Sequence, residues 1–168
     1  MNKIIVFLLF FMLLILQVAF VPRFSVFNVY PNILLIAILV FAIMRHNNRT
    51  LLFALFFGLA LDIFSSWPFG IYALDFVILA WLIQFIGKNF FRATDFFGQT
   101  SIIALSCVLF SVLNFFLIKN FYWLGLGQNI AFWDNLLRIG LLEIILNFVL
   151  AVAGLMIFKK INGLFTTI

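Results

Sequence analysis

Long apolar runs broken by short polar knots set the plan of this chain. In order, the runs occupy residues 4–21, 31–44, 51–64, 71–87, 100–118 and 136–158. None alternates with period two, and strands that cross lipid must close into a barrel of alternating segments, so every run predicts a helix. The first run, interrupted only by Gln17, ends before Pro22. The second opens at Tyr30-Pro31-Asn32, where a proline's missing N–H does no harm at a helix start. The knot RHNNRT, residues 45–50, separates the second run from the third, and SSWPFG, residues 65–70, reverses the chain into the fourth through Pro68 and Gly70. Runs two and three hold 14 residues each. Such a helix rises about 21 Å against a hydrocarbon core of about 30 Å, so each needs its flanking residues or a thinned bilayer.

Composition turns this plan into a membrane plan. Of 168 residues, 67% are hydrophobic and only 9% charged, more apolar side chain than a soluble domain of this size can hide. The expected fold is an all-α integral membrane protein, a bundle of six transmembrane helices. Its loops are too short for a second domain, so residues 1–168 form a single membrane domain. Lys3 before an apolar run imitates a signal peptide, yet the run is about 18 residues long and lacks a small-x-small cleavage pattern, which predicts a retained first helix.

The net charge of +5 adds topology rather than a nucleic-acid partner, because the Lys and Arg are dispersed among loop ends. Six spans put both termini on one side. That side then holds Lys3, Arg45, Arg49, Lys88, Arg92, Lys159 and Lys160, against Arg23, Lys119 and Arg138 on the other. The asymmetry favours both termini in the cytoplasm.

In that orientation the intramembrane polar groups fall in the outer half. Asp62 lies near the outer end of run three and Asp75 one turn below the outer mouth of run four. Asn114 reaches the same level, and run six begins with Asp134, Asn135 and Arg138 before Glu143 and Asn147. Three small or polar stripes emerge at helical spacing: Ala54, Gly58, Asp62; Thr100, Ala104, Cys107, Ser111, Asn114; and Gly140, Glu143, Asn147, Ala151, Gly154. A carboxylate facing lipid costs about 2.5–3.5 kcal/mol on insertion scales, so all three stripes should face inward. Two readings of these groups stay open: helix-to-helix fastening, and a site for a transported ion or substrate. Glu143 has Arg138 or a partner chain as its candidate counter-charge, and Asp75 is equally compatible with an interfacial, watered position. Asp62 should tie its helix end to the following turn or to run four, with the Ser65 and Ser66 hydroxyls and the turn's N–H groups as donors. A structural Asp62 should then tolerate replacement by Asn.

No catalytic arrangement is present. The single His46 sits in a polar knot, the single Cys107 has no partner for a disulfide or a metal cluster, and no hydrolase, zincin, phosphate-loop or dinucleotide motif occurs. The expectation is a protein without enzymatic activity, metal or cofactor.

The residues YPNILLIAILVFAI, the polar knot and FFGLALDIFSSWPFGIYALDFVILAWLI together resemble MreD, a family of rod shape-determining membrane proteins of bacteria. Pro31-Asn32 opening the second helix, the GxxxD pair Gly58 and Asp62, and Gly70 after a short polar turn carry the match over residues 28–84. Asp75 and Glu143 are not part of that pattern. The resemblance implies a multi-pass, non-enzymatic subunit of the cell-elongation machinery in the bacterial inner membrane. It would bind MreC, act with MreB, RodA and penicillin-binding protein 2 in lateral peptidoglycan synthesis, and leave homodimerisation open. The family also looks like the six-helix substrate-binding components of vitamin ECF transporters, so the alternative is a small-molecule-binding subunit of such a transporter.

Overall fold

A computed structural model of the chain describes residues 3–44, 49–89, 96–126 and 139–166. Six α-helices account for most of them: α1 Lys3–Ala19, α2 Ile33–Met44, α3 Arg49–Phe64, α4 Ile71–Asn89, α5 Phe96–Trp123 and α6 Leu141–Thr166. A short 3₁₀ turn, Val21–Phe24, follows α1 and accommodates Pro22 at its start. Among the described residues there is no strand, only an isolated bridge between Val26 and Val29. Two helices, Phe96–Trp123 and Leu141–Lys160, are long and apolar enough to cross a membrane, and the apolar parts of α1, α2 and α4 are shorter.

The six expected runs are all helical, with shifted ends. α6 runs on to Thr166, eight residues past its expected end, and α5 starts four residues earlier than expected and continues through Lys119-Asn120-Phe121-Tyr122-Trp123. Those residues are polar or aromatic but contain no proline or glycine, so nothing stops the backbone ladder until Gly125, which takes a positive φ of 76°. Pro31 lies two residues before α2 and is not its first residue, because Asn32 takes the capping position described below. Residues 136–138, expected to begin the sixth helix, lie outside the described residues.

α2 occupies the centre. It packs on all five other helices, most extensively on α4 and α6. Leu34, Leu35, Ile38, Leu39 and Ala42 are fully buried, which is why this segment is apolar on every side and shows no polar face. With 12 residues it is about 18 Å long. A helix surrounded by protein does not have to match the hydrocarbon thickness, so its shortness needs no thinned bilayer. Around it, Phe10 of α1 stacks on Phe57 and Phe53 of α3 at centroid distances of 5.2 and 5.5 Å. Phe41 of α2 meets Phe10 edge-on at 5.9 Å. This aromatic cluster joins three helices with large buried area and fixed ring geometry.

α3 and α4 form the tightest pair in the bundle. Gly58 is the reason. A Cβ built on it would lie 2.5 Å from Ala73 Cα and 2.9 Å from both Ala73 N and Tyr72 O, so only a glycine permits this approach of one backbone to another.

Candidate functional site

Helix starts carry orphan N–H groups, and a start buried in protein or hydrocarbon has no water to satisfy them. In this fold the C-terminal ends of α1, α3 and α5 and the N-terminal ends of α2, α4 and α6 gather at one end of the bundle. Gln17, Asn32, Asp62, Asp75, Asn114, Glu143 and Asn147 meet there, and four of them, Gln17, Asn32, Asp62 and Asn147, face helix starts.

The start of α2 is served from three elements. Asn32 caps its own helix, its Oδ1 accepting from Leu35 N–H at 3.0 Å. Gln17, near the end of α1, accepts from Ile33 N–H through Oε1 at 2.7 Å and donates from Nε2 to the Pro31 carbonyl at 3.3 Å. Asn147 of α6 accepts from Asn32 N–H through Oδ1 at 2.7 Å. Gln17, Asn32 and Asn147 are all buried.

The start of α4 is served from α3. Asp62 Oδ1 accepts from Tyr72 N–H at 2.9 Å and Oδ2 from Ala73 N–H at 3.1 Å, so one carboxylate covers the second and third N–H groups of the neighbouring helix. The acceptor oxygens also lie at the positive end of the α4 dipole. Gly58, one turn earlier, brings α3 close enough for this to happen, and Gly70, at φ 104°, turns the chain into α4. The GxxxD pair is therefore one device: the glycine sets the distance and the aspartate uses it. Of the two ties expected from the sequence, to the turn or to run four, the structure forms the second, with N–H groups of α4 as donors in place of the serine hydroxyls. Ser65 Oγ instead donates to the Asp62 carbonyl at 3.1 Å and towards the Trp67 carbonyl at 3.4 Å, closing the helix end from outside.

Two further contacts join α5 to the same layer. Asn114 Nδ2 donates to Asp75 Oδ2 at 3.0 Å, and Ser111 Oγ donates to Glu143 Oε2 at 3.3 Å. Asp75 is fully buried, which removes the watered position left open by the sequence. Asp75 Oδ1 and Asn147 Nδ2 are buried without a hydrogen-bond partner among the described residues. Arg138, the sequence's candidate counter-charge for Glu143, lies outside them. All three small-residue stripes turn their central positions inward: Ala54, Cys107, Ser111, Asn147 and Ala151 are fully buried.

Above these contacts the α1–α2 connection folds over the bundle end. Val26 and Val29 exchange both backbone hydrogen bonds, at 2.8 and 2.9 Å, around Phe27 and Asn28, which both adopt positive φ (52° and 64°). That is the two-residue turn whose twist suits a hairpin. Between this connection, α1, the α3–α4 turn and the start of α6 lies a cleft of about 340 Å³ whose lining includes Gln17, Tyr30, Ser65, Trp67, Tyr72 and Glu143.

A sequence profile of the family described as rod shape-determining protein MreD matches residues 1–162, nearly the whole chain. The chain belongs to the MreD family. Comparison with curated proteins and with solved structures gives no match. Membership ties the chain to rod-shape determination as a shape-determining membrane component, a family not known for enzymatic activity. Pro31, Asn32, Gly58, Asp62 and Gly70, the residues that carry the resemblance to MreD, all lie at the two helix starts just described. Gln17 is a site residue to which the sequence does not point. Its only signal was a lone amide near the end of an otherwise apolar run.

Proposed function

We propose that this chain is a non-enzymatic scaffold subunit of the cell-elongation machinery of the bacterial inner membrane. On this reading residues 1–168 are one domain of six spans with both termini cytoplasmic, and the chain binds MreC directly. It then supports lateral peptidoglycan synthesis alongside MreB, RodA and penicillin-binding protein 2. The observation that carries the reading is the family match over residues 1–162. The use of the intramembrane polar groups agrees with it: Gln17, Asn32, Asp62 and Asn147 are engaged at helix starts, as a rigid fastened body requires.

Loops this short cannot build a standard interface of about 800 Å² per partner, so the MreC contact is assigned to helix faces. An apolar groove of about 330 Å³ between α1, α2 and α6, with Ala37 and Gly154 in its lining, supports this, since small residues let a transmembrane helix approach. The test is recovery of MreC with the detergent-purified chain, together with the MreC level and cell shape in a strain lacking it. Co-purification, reduced MreC and rounded cells are expected; normal MreC and normal rods in the deletion strain refute the assignment.

Orientation is tested separately. With Cys107 replaced, a cysteine at Ser66 should react with an impermeant maleimide from the periplasm, and one at Asn48 only after the cytoplasm is opened. The reverse pattern overturns the topology.

The second reading, a small-molecule-binding subunit with the fold of ECF-transporter substrate-binding components, draws support from the cleft beside Glu143, which combines polar and aromatic lining. A vitamin carried through purification in place of MreC would favour it.

A further inference from the structure

The cleft at the capped end of the bundle has a chemistry that helix capping does not use up. Glu143 lines it, and among the described residues the one hydrogen bond to its carboxylate comes from Ser111 Oγ, at a long 3.3 Å. Ser65 lines it with a hydroxyl whose proton is already directed to backbone carbonyls, leaving its lone pairs to accept. Three aromatic rings, Tyr30, Trp67 and Tyr72, complete the polar wall, and the described lining contains no Lys or Arg. Acceptor oxygens, a carboxylate and π faces without a cation among them suit a positive ligand group and repel an anionic one.

The position of the cleft narrows the choice. Phe64 and Ile139 also line it, and both are exposed, at 62% and 41%, so the polar wall passes directly into the apolar outer surface of the bundle. Trp67 and Tyr30 are the amphipathic residues expected at headgroup depth. About 340 Å³ holds a headgroup while its chains stay outside along that apolar lip.

We propose that this cleft is a lipid site that holds the primary ammonium headgroup of a phospholipid, with the Glu143 carboxylate as acceptor and Tyr30, Trp67 and Tyr72 around the charge. A primary ammonium has three N–H donors for Glu143 and Ser65, whereas a trimethylammonium has none, so the site prefers phosphatidylethanolamine to phosphatidylcholine. Phosphatidylglycerol lacks the cation altogether. This inference does not depend on the scaffold reading, and MreC recovery leaves it untouched.

The experiment is native mass spectrometry of the full chain, purified in detergent and incubated with each of the three lipids at equal concentration. Phosphatidylethanolamine should be retained about tenfold over both others, the worth of one charge-assisted hydrogen bond. Glu143→Gln and Tyr30→Leu should each remove most of that preference, while Asp75→Asn, at a buried carboxyl outside the cleft lining, should preserve it. Free ethanolamine at the lipid's concentration should fail to displace the lipid. Equal retention of the three lipids, as for a non-selective lipid shell or a Glu143 already paired with Arg138, overturns the proposal. An unchanged preference in Glu143→Gln, or full displacement by free ethanolamine, does the same. The headgroup comparison on the unaltered chain decides the matter even if the Glu143 variant does not fold.

Discussion

Gly58→Ala adds one methyl group where two backbones meet, and the geometry sets its cost. The new Cβ would stand 2.5 Å from Ala73 Cα, and contact with backbone cannot be relieved by turning a side chain. To restore ordinary van der Waals distance α4 has to retreat by about 1 Å. The two bonds to Asp62, now 2.9 and 3.1 Å, then open to about 4 Å and cease to be hydrogen bonds. Overpacking costs about 1–3 kcal/mol and each of the two stranded N–H groups about 1–3 kcal/mol more, so a total of about 3–9 kcal/mol is expected, a large share of a normal folding free energy. Asp62→Leu loses the same bonds without the clash. The double variant should therefore be little worse than Gly58→Ala alone, because both changes undo one fastening. Thermal unfolding in detergent and steady-state abundance in the membrane are the assays. A neutral Gly58→Ala, or a double variant whose loss equals the sum of the single losses, refutes the coupling of glycine to aspartate.

Asp62→Asn should also be harmful, contrary to the expectation from sequence, because both carboxylate oxygens accept and an amide must turn its NH₂ towards one of the N–H groups; a loss of about 1–3 kcal/mol in thermal unfolding is expected. Asn114→Leu should cost about 1–3 kcal/mol by leaving Asp75 without its donor, while adding Asp75→Leu should recover most of that loss, which a double-mutant cycle on unfolding in detergent measures. Gln17→Leu and Asn147→Leu should each lower abundance, since each strips one N–H at the start of α2 of its acceptor. Phe27→Gly should raise stability by about 1 kcal/mol, because Phe27 is 84% exposed and sits at a φ of 52° that a glycine adopts freely.

The six apolar runs and their breaks were legible because burial in protein or lipid imposes apolarity along the whole helix, whatever its neighbours. Helix ends were less so. The aromatic tail of α5 carried no stop signal before Gly125, and Pro31 stood outside α2 because a neighbouring asparagine makes the better cap. The Gly58-Asp62 device could be half read: four-residue spacing put both residues on one face, but the donors at Tyr72 and Ala73 depend on how α4 starts. The partners of Gln17 and Asn147 were beyond reach. Both meet α2 from helices whose order around it has no periodicity in a single chain, and a lone amide in an apolar run does not say which backbone it serves.

The bond between Asn147 and Asn32 spans 115 positions of chain, and that separation sets an order of events during synthesis. A chain delivered to the bilayer from its N-terminus presents the start of α2 long before the helix that completes its cap has been made. In that interval the Asn32 N–H must be met by water or headgroups, and α2, too short to span on its own, lacks much of its protein sheath. The nascent bundle therefore stays open at its centre until α6 enters. The last helix closes the first half of the protein as well as its own, and a chain released before residue 147 ends with its innermost helix unfinished.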